Sequence, residues 1–295
     1  MSHTWNQFDA RCGLDPLPSG SQPVFVVAAG WRSGSTLLQR LICSSGEVLV
    51  WGEPYGRACP IQGMTRSAMA LRSDAWAGKQ VTEPDWPAEG SFAPAELPDD
   101  LADKWIANLY PEPGALKQAW RAQLDTLFAA PAAARGFARF GVKEVRWQSL
   151  DARFLQWMYP DARFFFLVRN PWDAWASAKG ATFVKSWPND RVADVTSFVR
   201  HWRRCVEGYV RWSGTGGFLV RYEDLVHPNF ELQDIAEHAG VARVDPAVLE
   251  ARVRGMQKPP ATLDTAEIEQ VRRLAGPATE LLGYHGPGGR GRSAA

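Results

Sequence analysis

Six residues, VFVVAA at Val24–Ala29, are followed directly by the loop GWRSGS and then by TLLQRLIC at Thr36–Cys43. The first run is apolar and rich in β-branched residues, the pattern of a strand buried on both faces, and the last reads as a helix. Strand, glycine-bearing loop and helix in immediate succession build parallel sheets, because parallel neighbours need crossover connections. Further short apolar runs at Val48–Trp51, Phe140–Val145, Arg163–Val168 and Gly217–Arg221 each precede helical or turn-rich sequence. The alternation predicts an α/β protein: a mostly parallel sheet in three layers, with helices on both faces and ligands at the carboxyl ends of the strands.

The chain of 295 residues is long enough for one large domain, expected over residues 1–285. Residues 61–135 interrupt the alternation with Pro, Gly and Trp and predict an insertion of helices and loops. The final ten residues, GPGGRGRSAA at 286–295, offer almost nothing to pack and predict a flexible tail. With 33 basic against 32 acidic side chains the formal charge is +1, so no nucleic-acid partner is expected. The first twenty residues hold no signal-like apolar stretch, and the longest apolar runs, Val24–Ala29 and Phe164–Val168, are too short to span a membrane. Cys12, Cys43, Cys59 and Cys205 lack metal or redox spacing, which predicts a reduced cytoplasmic protein without a structural metal. Oligomeric state is left open.

The loop after the first strand carries the strongest chemical signal. Gly30 and Gly34 permit close backbone approach, Ser33, Ser35 and Thr36 offer hydroxyls, and Arg32 supplies a permanent cation at a helix N-terminus, a geometry that binds phosphate-like anions. An ordinary tight turn with Ser35 or Thr36 as N-cap fits the same residues. It is not a Walker loop: three residues separate the glycines, no Lys follows the second, and the run FFFLV ends in Arg169 rather than in a magnesium-binding Asp. In RNPWDAWAS, Arg169–Ser177, Pro171 and Asp173 suit a first helical turn. Arg169 at the strand end and Ser177 eight residues on could jointly hold a second phosphate. Taken alone, they read first as a surface ion-pair residue and a helix filler.

Together, RSGSTLL at Arg32–Leu38, RNPWDAWAS and VRYEDL at Val220–Leu225 resemble the sulfotransferase superfamily that uses 3′-phosphoadenosine 5′-phosphosulfate (PAPS); LLGY at Leu281–Tyr284 is similar to a common family ending. The resemblance implies a P-loop nucleoside-triphosphatase-like fold with a helical insertion, residues 61–135 forming an acceptor-side lid. It implies that Arg32, Ser33, Gly34, Ser35 and Thr36 cradle the 5′-phosphosulfate and that Arg169 and Ser177 grip the 3′-phosphate. Tyr222 and Asp224 would support the loop. Arg32 stands where the small-phenol branch carries Lys, so the chain looks closer to the tyrosylprotein and carbohydrate branches.

Sulfuryl transfer also needs a base for the acceptor proton and cations for charge on the leaving oxygen. Glu53 in VLVWGEPYGR lies 21 residues after Arg32 and matches the glutamate base of the tyrosylprotein pattern. A turn cap before Pro54 or a pair with Arg57 is the ordinary alternative. Lys143 in FGVKEVRW resembles the family lysine that steadies the leaving oxygen, joining Arg32 as a clamp. Glu144 competes with Glu53 for the base role, although strand alternation turns it away from Lys143, and a pair with Arg146 would account for it. None of the five histidines stands at the position the small-phenol branch uses. Arg252, Arg254 and Lys258 are candidates to complete the nucleotide pocket, and Trp76, Trp86, Trp105 and Trp120 either line an acceptor site or fill core. The expected function is metal-independent sulfuryl transfer to a small-molecule or glycan hydroxyl: carbohydrate, glycolipid, peptide or natural product. The alternatives are a P-loop small-molecule kinase and a non-catalytic nucleotide-binding protein on the same fold.

Overall fold

The computed structural model describes residue 9 and residues 22–72, 113–181, 192, 194–212, 214–251 and 260–288. Five strands, β1 (Val24–Ala28), β2 (Val48–Gly52), β3 (Arg139–Glu144), β4 (Arg163–Val168) and β5 (Gly217–Arg221), pair in the order β2-β3-β1-β4-β5, all parallel. Every strand lies within a residue of its sequence expectation. The helices are α1 (Ser35–Cys43), α2 (Pro60–Arg72), α3 (Pro113–Leu124), α4 (Ala130–Ala133), α5 (Ser149–Met158), α6 (Pro171–Ala178), α7 (Val195–Val210), α8 (Tyr222–Leu225), α9 (Leu232–Ala239), α10 (Ala247–Glu250), α11 (Thr265–Ala275) and α12 (Pro277–Leu281).

Strand order dictates the layers. The β1-to-β2 step runs one way along the sheet and every later step runs the other way. With right-handed crossovers, α1 therefore covers one face and α2 to α7 the opposite face. Contacts complete both layers, α9 and α10 packing on α1, and α11 on α6 and α7. β1 is buried throughout, and the ring of Phe25 meets those of Phe140, Trp147, Tyr159 and Phe164 at centroid distances of 5.4–6.3 Å. At the amino end of the sheet, Arg139 donates to the carbonyls of Ala239 (2.9 Å) and Gly240 (2.8 Å), and Arg163 to His238 (3.0 Å). These arginines satisfy the open C-terminus of α9, so that rim is committed to structure.

The described part of the insertion is helical, and a π turn at Asp125–Ala129 joins α3 to α4. Trp51 at the end of β2 donates to the Phe128 carbonyl at 3.0 Å, fastening the insertion to that strand. Trp120 is core, packed edge-on against Phe154 and Trp157. Trp76, Trp86 and Trp105 lie outside the described residues. At the carboxyl end of the chain, Asn170 Nδ2 donates to Gly286 O (2.8 Å) and Gly288 N to Asp173 Oδ1 (3.1 Å), so residues 286–288 dock on the start of α6. Residues 289–295 lie outside the described residues. Among the described residues no helix is long and apolar enough to cross a membrane.

Candidate active site

Five parallel strands end at one rim, and each delivers a candidate residue there. Arg32 follows β1, Glu53 follows β2, Lys143 stands one residue from the end of β3, Arg169 follows β4 and Tyr222 follows β5.

The β1–α1 loop bends through three left-handed residues, Gly30 (φ +85°), Arg32 (φ +64°) and Gly34 (φ +88°). Gly34 is itself the N-cap of α1, and no side chain caps the helix. The ordinary N-cap reading of Ser35 or Thr36 is thus not what forms: the chain reaches the helix through a left-handed glycine, and Ser35 is already helical. A side chain at Gly34 would also collide with Tyr222, because its Cβ would lie 2.2 Å from Cδ2 of the ring. His201 is buried under the loop, its ring 5.4 Å from that of Trp31.

Arg169 ties this loop to β4. Its Nη1 donates to the carbonyl of Arg32 at 2.8 Å, and its guanidinium lies over the Tyr222 ring, 4.5 Å from the centroid. In the other direction, Arg32 Nε donates to Ser177 Oγ at 2.9 Å. The two sequence constellations, 137 residues apart, are therefore hydrogen-bonded to each other twice. Neither the surface reading of Arg169 nor the filler reading of Ser177 describes this arrangement.

Glu53 sits at φ +38°, and its N–H extends the β2–β3 ladder by donating to Lys143 O at 2.8 Å. Lys143, whose side chain is only 5% exposed, pairs through Nζ with Glu53 Oε1 at 2.5 Å, while Glu53 keeps 31% of its side chain exposed. A carboxylate open to solvent, backed by an almost buried ammonium, can accept a proton from a bound hydroxyl while a cation stands beside it. Glu144 points elsewhere, as alternation expects. It accepts from Arg146 Nε at 2.7 Å and from the Val145 N–H at 2.8 Å, is buried, and has its second oxygen on Arg146 Nη2. That pair accounts for Glu144 without a catalytic role.

The third motif divides its work differently from the expectation. Tyr222 supports the β1–α1 loop by packing against Gly34 and Arg169, but Asp224 forms a two-pronged pair with Arg221 at 2.6 and 2.9 Å. The strut is Glu223, which accepts from the Asn170 N–H (2.8 Å) and from Tyr284 OH (2.7 Å). Burial and the adjoining Glu223 charge push the Tyr284 phenol well above its ordinary value, so it stays a donor. The LLGY ending thus holds the residue next to Arg169. Sequence reasoning missed Glu223, although its place directly after β5 at the same rim was a usable signal.

Three side-chain atoms in these loops, Trp31 Nε1, Ser33 Oγ and Arg169 Nε, are buried without a hydrogen-bond partner among the described residues. Buried polar atoms rarely stay unpaired. A model of the sulfotransferase family matches residues 23–246, from the start of β1 to the edge of α10. The chain belongs to the sulfotransferase family. No curated protein sequence matches it. Among solved structures, this sulfotransferase is similar to the sulfotransferase domain of the Synechococcus PCC 7002 olefin synthase (17% identity, TM-score 0.45, covering 92% of this chain and 98% of that one). It is similar also to the sulfotransferase domain of the curacin biosynthetic pathway (14%, TM-score 0.45, 92% and 100%). Sulfotransferase STF1 from Mycobacterium tuberculosis H37Rv is a further match (15%, TM-score 0.39, 92% and 80%). The parallel sheet with its loop between β1 and α1 gives this sulfotransferase the P-loop-like fold expected from sequence. Arg252, Arg254 and Lys258 lie outside its described residues.

Proposed function

We propose that this sulfotransferase moves the sulfuryl group of PAPS to an acceptor hydroxyl by in-line displacement, without a metal, in the cytoplasm. The observation that carries the reading is the direct joining of the β1–α1 loop to the β4–α6 turn through Arg32, Ser177 and Arg169. A donor bearing a 5′-phosphosulfate and a 3′-phosphate fits that pair of loops. Its oxygens would supply the missing acceptors for Ser33 Oγ and Arg169 Nε, and the uncapped start of α1 favours an anion.

The donor supplies an electrophilic sulfur whose bridging oxygen becomes the leaving group on the 5′-phosphate. Glu53 takes the acceptor proton as the new S–O bond forms and the bridging S–O bond breaks. Such a base contributes about 10²–10⁴ in rate. Protonation of Glu53 removes the negative partner of Lys143, which leaves the ammonium free to answer the charge growing on the bridging oxygen, with Arg32 beside it. Losing one such cation costs about 10²–10³ in turnover.

The acceptor, in this reading, is a carbohydrate, glycolipid, peptide or natural-product hydroxyl approaching past residues 61–135 as a lid. Tyr55 supports a ring-bearing acceptor: it is 58% exposed, two residues beyond Glu53, with its ring 6.3 Å from that of Phe128. The test is a panel of these acceptor classes with ³⁵S-labelled PAPS, alongside calorimetry with 3′,5′-diphosphoadenosine. Label should pass to one class, and Glu53→Gln should lose at least about a hundredfold in rate with its nucleotide affinity unchanged. A protein that does not bind 3′,5′-diphosphoadenosine overturns the reading.

A further inference from the structure

Among the described residues only four non-glycine residues have positive φ: Arg32 in the phosphate loop, and Glu53, Tyr55 and Cys59 in one seven-residue segment. Gly56 in the same segment is at φ +51°. Left-handed backbone at a non-glycine residue is strained and persists only where surroundings over-determine it. The turn's own bonds, Gly56 N to Glu53 O (3.3 Å) and Ala58 N to Tyr55 O (3.0 Å), are local and move with the segment. From outside, Lys143 holds the segment at Glu53 through its carbonyl and Nζ, and the hold on Gly56 and Cys59 comes from Arg146. Its Nη1 donates to Gly56 O at 3.0 Å and contacts Cys59 Sγ at 3.0 Å. Its other nitrogens are taken by Glu144, and the two side chains are 3% and 2% exposed.

A buried ion pair is a weak source of stability, because desolvation offsets most of its Coulomb energy. This one spends its remaining donor on a strained catalytic loop. We propose that Arg146, held by Glu144, is a positioning residue for Glu53: it clamps residues 53–59 in the conformation that keeps the Glu53 carboxylate against Lys143. The proposal rests on the reading of Glu53 as the base. It also assigns a task to Glu144, the other candidate carboxylate, which serves the base from the opposite face of β3 instead of competing with it.

Arg146→Lys keeps a cation opposite Glu144 but lacks the arm that reaches Gly56 and Cys59. Hydrogen exchange at the Gly56 and Ala58 amides is expected to quicken at least tenfold in this variant, with the β1 and β4 amides unchanged. Single-turnover release of [³⁵S]sulfate from PAPS, with water standing in for the acceptor, should slow about 10–100-fold, as expected for misplacement of about 1 Å, while the Kd for 3′,5′-diphosphoadenosine stays within twofold. In a Glu53→Gln background the same substitution should change the rate less than twofold, because the group it positions is gone. Unchanged exchange at residues 56 and 58, or an equal rate loss in both backgrounds, overturns the clamp while leaving Glu53 as the base. A fully active Glu53→Gln protein overturns the base reading and the clamp with it. Should Arg146→Lys fail to fold, Glu144→Asp, which withdraws the guanidinium by about one methylene, must give the same pattern.

Discussion

Gly34→Ala separates two costs that the structure places on one atom. The first is conformational: at φ +88° an alanine in left-handed backbone costs about 1–2 kcal/mol. The second is steric. The added Cβ would lie 2.2 Å from Cδ2 and 2.7 Å from Cε2 of Tyr222, so the ring must move, and overpacking of this kind costs about 1–3 kcal/mol. The sum, about 2–5 kcal/mol, should lower the melting temperature by roughly 5–15 °C for a chain of this size. Tyr222→Ala removes the steric part, so Gly34→Ala made on that background should cost only about 1–2 kcal/mol. The same ring lies under the Arg169 guanidinium, so its displacement should also weaken 3′,5′-diphosphoadenosine binding more than tenfold. Scanning calorimetry and titration calorimetry on the two single variants and the double variant read both effects. An equal penalty in the two backgrounds, or full nucleotide affinity in Gly34→Ala, would refute the packing of Gly34 on Tyr222 as the reason for the glycine.

Two further outcomes follow from the buried polar groups. Burial raises the Asp151 carboxyl from 3.8 to about 6, against hydrogen bonds from Gln148 and Thr65 that lower it. The folded protein therefore holds a proton between pH 4 and 6 that the unfolded chain has released, so this stabilising contribution, complete below pH 4, is lost progressively as pH rises from 4 through 6. Urea titrations should show wild type losing about 3 kcal/mol relative to Asp151→Asn between pH 4 and 7; parallel stability profiles would contradict that assignment. Tyr284→Phe removes a charge-assisted bond to Glu223, worth about 1.5–3 kcal/mol, and should lower the melting temperature by roughly 3–10 °C and weaken nucleotide binding through Asn170 and Arg169. An unchanged melting temperature would remove Glu223 as the strut.

The sheet was legible because its central strands β3, β1 and β4, buried on both faces, read as apolar runs with little to confuse them, and the partly exposed edge strands β2 and β5 are short apolar runs ending directly in turn or motif residues. Arg163–Val168 and Gly217–Arg221 form within their expected bounds, and the others differ by one residue. The site was legible to the extent that motifs follow strands directly, which put Arg32, Glu53, Lys143 and Arg169 at one rim before any contact was known. The contacts themselves were not. Nothing in RSGST or RNPWDAWAS says that Arg32 bonds Ser177 or that Arg169 bonds the Arg32 carbonyl, because pairing across 137 residues depends on β1 and β4 being neighbours. Glu223 was passed over because Tyr222 and Asp224 flank it with equally polar groups, and only the return of Tyr284 selects it. The alternative of Ser35 or Thr36 as an ordinary N-cap failed because capping preferences assume an extended residue before the helix, whereas this chain enters through left-handed Gly34.

The joined loops are tested most directly by the affinity of wild type and Arg169→Ala for 3′,5′-diphosphoadenosine against 5′-adenosine monophosphate, which lacks the 3′-phosphate. A clasp on both ends requires wild type to prefer the diphosphate by at least about tenfold, the worth of one charge-assisted hydrogen bond, and Arg169→Ala to lose most of that preference. Equal affinity of wild type for the two nucleotides, or a variant that weakens both by the same factor, would contradict it.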